Sequence, residues 1–104
     1  MRYDKRTDDN HREVIDELRK TMPEVTVFDA SGAGNGFPDV VLGWNGRNYL
    51  FEIKDPAKVP SARSLTDKQK EFHEGWQGQV HVVHSAAEVC ATLARLANGE
   101  RRTP

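Results

Sequence analysis

The chain has 104 residues, 37% of them hydrophobic and 30% charged, with a formal net charge of −1. That length supports one domain (residues 1–104) with a single modest core, and no window approaches the roughly 18 apolar residues of a membrane span. The charged opening Met1-Arg2-Tyr3-Asp4-Lys5-Arg6 lacks the apolar stretch of a secretory signal, so a cytoplasmic location is expected. A single cysteine, Cys90, excludes an internal disulfide. Set among Ala87, Val89, Leu93 and Leu96, it reads as a core thiol rather than a nucleophile.

From the N-terminus, residues 8–21 carry Val14, Ile15, Leu18 and Met22 at helical spacing, with Thr7 or Asp8 as N-cap and Pro23 closing the segment. Residues 25–29 are β-branched and aromatic and predict a strand, followed by the glycine-rich turn 31–36. Two apolar runs, 39–44 and 47–54, flank Asn45-Gly46, a strong signal for a two-residue type I′ hairpin. Residues 55–65 have no apolar periodicity and read as an exposed loop. Thr66-Asp67-Lys68-Gln69 is a capping box opening a helix to about Trp76. Val80 to Val83 predicts another strand, and Ser85 caps a last helix bearing Val89, Leu93 and Leu96, with a polar, frayed tail from Gly99. The order αβββαβα points to the α/β or α+β class, a mixed sheet with helices against its faces.

If Asn45 and Gly46 form the turn, cross-strand partners sum to 91: Trp44 faces Arg47, Leu42 faces Tyr49, Val40 faces Phe51 and Asp39 faces Glu52. Alternation then puts Val40, Leu42, Tyr49, Phe51 and Ile53 on one face, suited to packing a helix. Asp39, Val41, Leu50, Glu52 and Lys54 share the other. Two carboxylates directly opposed across a ladder repel each other, and Lys54 cannot neutralise both. A shared proton, a neighbouring cation or a bound metal must offset the repulsion. Mg²⁺ or Mn²⁺ held by Asp39, Glu52 and the backbone carbonyl of Ile53 fits that need, since Mg²⁺ takes one or two carboxylates plus water and phosphate oxygens. The chemistry expected is phosphodiester hydrolysis, in which such an ion activates water and polarises the phosphoryl oxygens. Lys54 would orient or help deprotonate the water, or stabilise transition-state charge. The plainer alternative is a solvated Glu-x-Lys stripe on an edge strand, which a one-residue slip of register would produce.

Pro38-Asp39 followed by Glu52-Ile53-Lys54 resembles the PD-(D/E)XK nuclease signature, whose fold is a restriction-endonuclease-like core. The wider string from Gly34 to Gly43, with Leu65-Thr66-Asp67-Lys68-Gln69 and Trp76-Gln77-Gly78-Gln79-Val80, is similar to the compact VRR-Nuc group. Some small bacterial and phage members of that group act as Holliday junction resolvases. The resemblance covers roughly residues 8 to 96. It implies Asp39 and Glu52 as metal ligands and Lys54 as the catalytic lysine. It adds Glu13 on the first helix to the acidic cluster, and Gln69 on the helix after the signature. It also implies DNA as partner, branched or junction DNA in particular, and a homodimer, which two equal sites on a symmetric junction would suit. Gln69 is equally explained by the capping box, and Glu13 by solvation. The Arg-Arg pair of the group's name is not evident.

The net charge gives no general attraction for nucleic acid, but residues 46–70 hold six Lys/Arg against three Asp/Glu, so a local basic surface is available. Lys58, Arg63, Lys68 and Lys70 could grip phosphates there or form a solvated loop. The 32–36 turn could admit a nucleic-acid backbone or merely connect strands. Trp44, beside the Asn45-Gly46 turn, either stacks on a partner or caps the hairpin. His81 and His84, three apart on a strand, face opposite ways, and His11 and His73 read as packing or surface residues. Two other functions stay open: a nucleic-acid-binding module that does not cut, and a structural or inhibitory partner that binds no divalent metal.

Overall fold

The hairpin at the centre of the molecule sets its geometry. In the computed structural model, which describes residues 10–58, 60 and 64–101, Asn45 (φ 55°) and Gly46 (φ 79°) are both left-handed, as a type I′ turn requires. Strands β2 (Val40–Trp44) and β3 (Arg47–Ile53) therefore pair antiparallel, with Trp44 opposite Arg47, Leu42 opposite Tyr49 and Val40 opposite Phe51. Strand β1 (Thr26–Asp29) adds antiparallel to β2, and β4 (Val80–Val83) adds parallel to β3. The result is a four-stranded mixed sheet in the order β1-β2-β3-β4. With helices α1 (His11–Thr21), α2 (Asp67–Gly75) and α3 (Ala86–Arg101), the fold is α+β.

One face of the sheet is dry. Val27, Val40, Leu42, Tyr49, Phe51, Ile53 and Val83 form a single core with Val14, Ile15 and Leu18 of α1 and Val89 and Leu93 of α3. The α1 stripe falls at i, i+1, i+4 spacing, as an amphipathic helix needs. Trp44 packs against this core with its ring 6.3 Å from Tyr49. Cys90 is only half-buried at the core's margin, where its thiol meets the Met22 sulfur.

Three boundaries differ from expectation. Helix α1 starts at His11 with Asn10 at its N-cap, and Asn10 makes no side-chain capping bond. Its amide instead reaches across to the carbonyls of Lys54 and His84, at 3.4 and 3.1 Å. Thr7 and Asp8 lie outside the described residues. Helix α3 runs past Gly99 to Arg101 rather than fraying there. In the 55–65 segment Asp55 is buried rather than exposed, and its carboxylate accepts from the Ala57 N–H at 2.9 Å, closing an Asx turn. The other boundaries follow local chemistry: Thr66 and Gln69 form a reciprocal capping box on α2, and the Ser85 hydroxyl accepts from Glu88 N at 3.1 Å.

Candidate active site

The second face of the sheet is also buried at its centre, but by polar groups. Asp39 and Glu52 are each 2% exposed and Lys54 is 5% exposed. Charged side chains are almost never buried this far unless they are paired. The pairing runs through Gln69, from the first turn of α2. Its amide nitrogen donates to Glu52 Oε2 at 2.8 Å, and its amide oxygen accepts from Lys54 Nζ at 2.9 Å. Lys54 Nζ stands 3.8 Å from the same Glu52 oxygen.

Gln69 also closes its helix. The same Oε1 accepts from Thr66 N at 2.9 Å, and Gln69 N donates to the Thr66 hydroxyl at 3.2 Å. The two explanations for this residue, helix cap and site residue, are thus both true of one side chain.

Asp39 sits one position before β2, whose pairing with β3 begins at Val40 opposite Phe51. Its Oδ2 accepts from Ile53 N at 2.8 Å, a charge-assisted bond that fixes the carboxylate against the backbone of the Glu52–Lys54 segment. The Gly34–Gly36 turn locks α2 over this face. Gly36 has φ +81°, and a Cβ there would lie 2.2 Å from the Lys68 carbonyl oxygen. Phe37 then packs edge-on against Phe72 of α2, with ring centroids 5.3 Å apart. Gly36 therefore serves a close approach of α2 itself.

The remaining sequence candidates fall into place less centrally. Glu13 is exposed and lines a groove of about 370 Å³ with Asn10, Glu17, Asp55 and His84, not the Glu52–Gln69–Lys54 network. Two residues along a helix from the buried His11, it points away from the stripe that meets the sheet. Lys58 is half-buried, Lys68 and Lys70 are exposed, and Arg63 lies outside the described residues. His84 pairs with Glu88 at 3.0 Å. His81 stacks near Phe51, with ring centroids 5.6 Å apart. Burial lowers the pKa of both His73 and His81, with Lys54 adding to the effect on His73 and Arg95 and His73 adding to that on His81.

Sequence reasoning missed His11 and Asp29. His11 is 5% exposed, and its Nε2 lies 3.2 Å from Asp29 Oδ1 while its Nδ1 faces Asp39 Oδ1 at 4.0 Å. Burial works against the charge on Asp29, but hydrogen bonds from Ser31 and the nearby imidazole outweigh it and hold the carboxyl below its usual range. The signal was present: His11 precedes Val14, Ile15 and Leu18 at i+3, i+4 and i+7, on the buried stripe.

Among the described residues no group of three or more His, Cys, Asp or Glu side chains is already gathered as a chelate. An ion here would draw on side chains together with backbone and water, the usual manner for Mg²⁺. Among the described residues no helix is long and apolar enough to cross a membrane. No protein-family model matches the chain, and neither curated proteins nor solved structures give a match.

Proposed function

We propose that this protein is a metal-dependent endonuclease that hydrolyses DNA phosphodiester bonds, on a restriction-endonuclease-like core of the PD-(D/E)XK kind. The observation that carries the proposal is the burial of Asp39, Glu52 and Lys54, with Gln69 bonded to both Glu52 and Lys54 and Asp39 bonded to the Ile53 N–H between them. A purely structural role accounts poorly for two acids and an amine sequestered together, because burying charges costs more than an apolar replacement of the same shape. Two carboxylates beside a backbone carbonyl are the oxygen donors that Mg²⁺ or Mn²⁺ takes from a protein, so the residues fit such an ion. Asp39, Glu52 and the Ile53 carbonyl would hold it, and when bound it would supply an activated water and a polarised phosphoryl oxygen.

The chain's own residues have separable tasks. Asp39 is oriented by the Ile53 N–H. Gln69 holds Glu52 and Lys54 at fixed separation. Lys54 keeps its ammonium where charge develops on the scissile phosphate, and in a buried site that charge acts with little screening. Lys58, Lys68 and Lys70 contribute the sequence-independent attraction for the backbone. Preference for branched or junction DNA, and action as a homodimer, belong to the same proposal.

The test is cleavage of duplex, single-stranded, flap and four-way-junction DNA in Mg²⁺ or Mn²⁺. Wild type should cut. Asp39→Ala should lose at least about 10²-fold in rate while still binding DNA. Wild type that binds DNA but cuts nothing with either ion would make it a binding module instead.

A further inference from the structure

We propose that α1 delivers an imidazole to the metal site, His11 Nδ1 serving as a ligand beside Asp39 Oδ1, with Asp29 as the carboxylate that orients it. The inference rests on the metal-dependent reading above and adds a residue that reading does not assign.

His11 is buried at the start of α1, on the stripe that meets the sheet. A carboxylate only accepts, so the contact with Asp29 Oδ1 is an Nε2–H donation. Nδ1 of the neutral ring then presents its lone pair, and among the described residues that buried nitrogen has no hydrogen-bond partner. It faces Asp39 Oδ1 at 4.0 Å, a lone pair directed at a carboxylate oxygen, which a shared proton or a metal ion between them makes favourable.

The distance lets one ion reach both atoms. Two ligand atoms each about 2.1 Å from a metal are separated by about 3.0 Å when cis and about 4.2 Å when trans, and 4.0 Å falls between these. Asp39 is prepared for the same role, since its other oxygen is already fixed by Ile53 N. A histidine ligand that donates its second ring N–H to a carboxylate is the common arrangement at metal centres, because the carboxylate sets the tautomer and raises ligand basicity. Ser31 N, 3.0 Å from the same Asp29 oxygen, holds that carboxylate in turn. A nitrogen ligand also shifts preference from Mg²⁺ toward transition ions.

Mn²⁺ binding to the full chain, followed by calorimetry and pulsed electron paramagnetic resonance, tests this without reference to cleavage. Bound Mn²⁺ should show ¹⁴N coupling from an imidazole. His11→Gln should abolish that coupling and weaken binding by more than the about 10–100-fold typical of losing a partner that merely orients a ligand. Asp29→Asn should keep the coupling with weaker affinity, which covers the case in which the His11 variant fails to fold. His84→Gln, at an exposed imidazole, should change neither. Mn²⁺ bound without ¹⁴N coupling, or with coupling that survives His11→Gln, overturns the inference and leaves a carboxylate-only nuclease site standing. No Mn²⁺ binding overturns both readings. Coupling that depends on His11 in a protein that never cuts DNA upholds this inference and defeats the proposed activity.

Discussion

Strand β3 is buried on both sides, and its two sides are buried for different reasons. Tyr49, Phe51 and Ile53 point into an apolar core and are each at most 1% exposed. The alternate positions Glu52 and Lys54 are nearly as inaccessible, yet they meet polar partners at hydrogen-bond distance. Burial is thus the same on the two faces while chemistry differs. On the core face each side chain contributes by leaving water. On the other face each gives up hydration that polar partners, Gln69, Lys54 and the Ile53 amide among them, must replace, a pattern expected where geometry matters more than stability.

The sharpest way to test this contrast is one substitution on each face. Phe51→Ala removes a fully buried ring and should cost about 3–5 kcal/mol, lowering the thermal midpoint by about 4–8 °C per kcal/mol. Asp39→Asn should be neutral to stabilising in the absence of metal, because its amide oxygen can accept from Ile53 N while its NH₂ donates to His11 Nδ1. Scanning calorimetry of both variants, without metal, measures the difference. A large loss from Asp39→Asn would mean that the site face is held together by its charge after all.

A smaller effect is expected where the two faces are joined through the glycine turn. Gly36→Ala places a methyl group against the Lys68 carbonyl at a left-handed φ, and should cost about 1–3 kcal/mol. It should also shift α2 and so loosen Gln69 from Glu52, seen as reduced cleavage at temperatures where the variant is still folded. Gly34→Ala is the comparison: it is left-handed too, but a Cβ there would meet nothing within 4 Å. Its backbone penalty should leave cleavage intact.

The smallest effect concerns pH. His73 and His81 titrate below their ordinary 6.5, burial being the main cause for each. The unfolded chain takes up these protons near pH 6.5, whereas the folded chain resists until lower pH. Between those points the unfolded state binds more protons, so stability should decline as pH drops below about 6.5 and level off once the folded histidines charge. Thermal melts at pH 7.5 and 5.5 should show this, and His73→Gln with His81→Gln should flatten the slope.

The sheet's register was legible from two residues. Asn45-Gly46 admits few turn geometries, and the alternation of Val40, Leu42, Tyr49 and Phe51 admits one register that buries them together. The observed register from Val40 to Trp44 is that one, and Asp39, just before it, bonds to Ile53 N. Gln69 was legible as a cap but not as a bridge, because its reach toward β3 depends on how the glycine turn seats α2, a tertiary contact with no periodic signature. His11 was hidden for a related reason. Its place on the apolar stripe was readable, but a histidine there suggests packing until Asp29 and Asp39 are seen on either side of its ring.

The double duty of Gln69 has a consequence for motion. Unwinding the first turn of α2 withdraws the amide from Glu52 and Lys54 in the same event, so opening of that turn and dispersal of the reactive groups share one free energy. Amide exchange at Gln69 and Lys70 therefore reports how often the Glu52–Gln69–Lys54 network is broken. Any ligand that braces this turn would raise the closed fraction without touching Glu52 or Lys54.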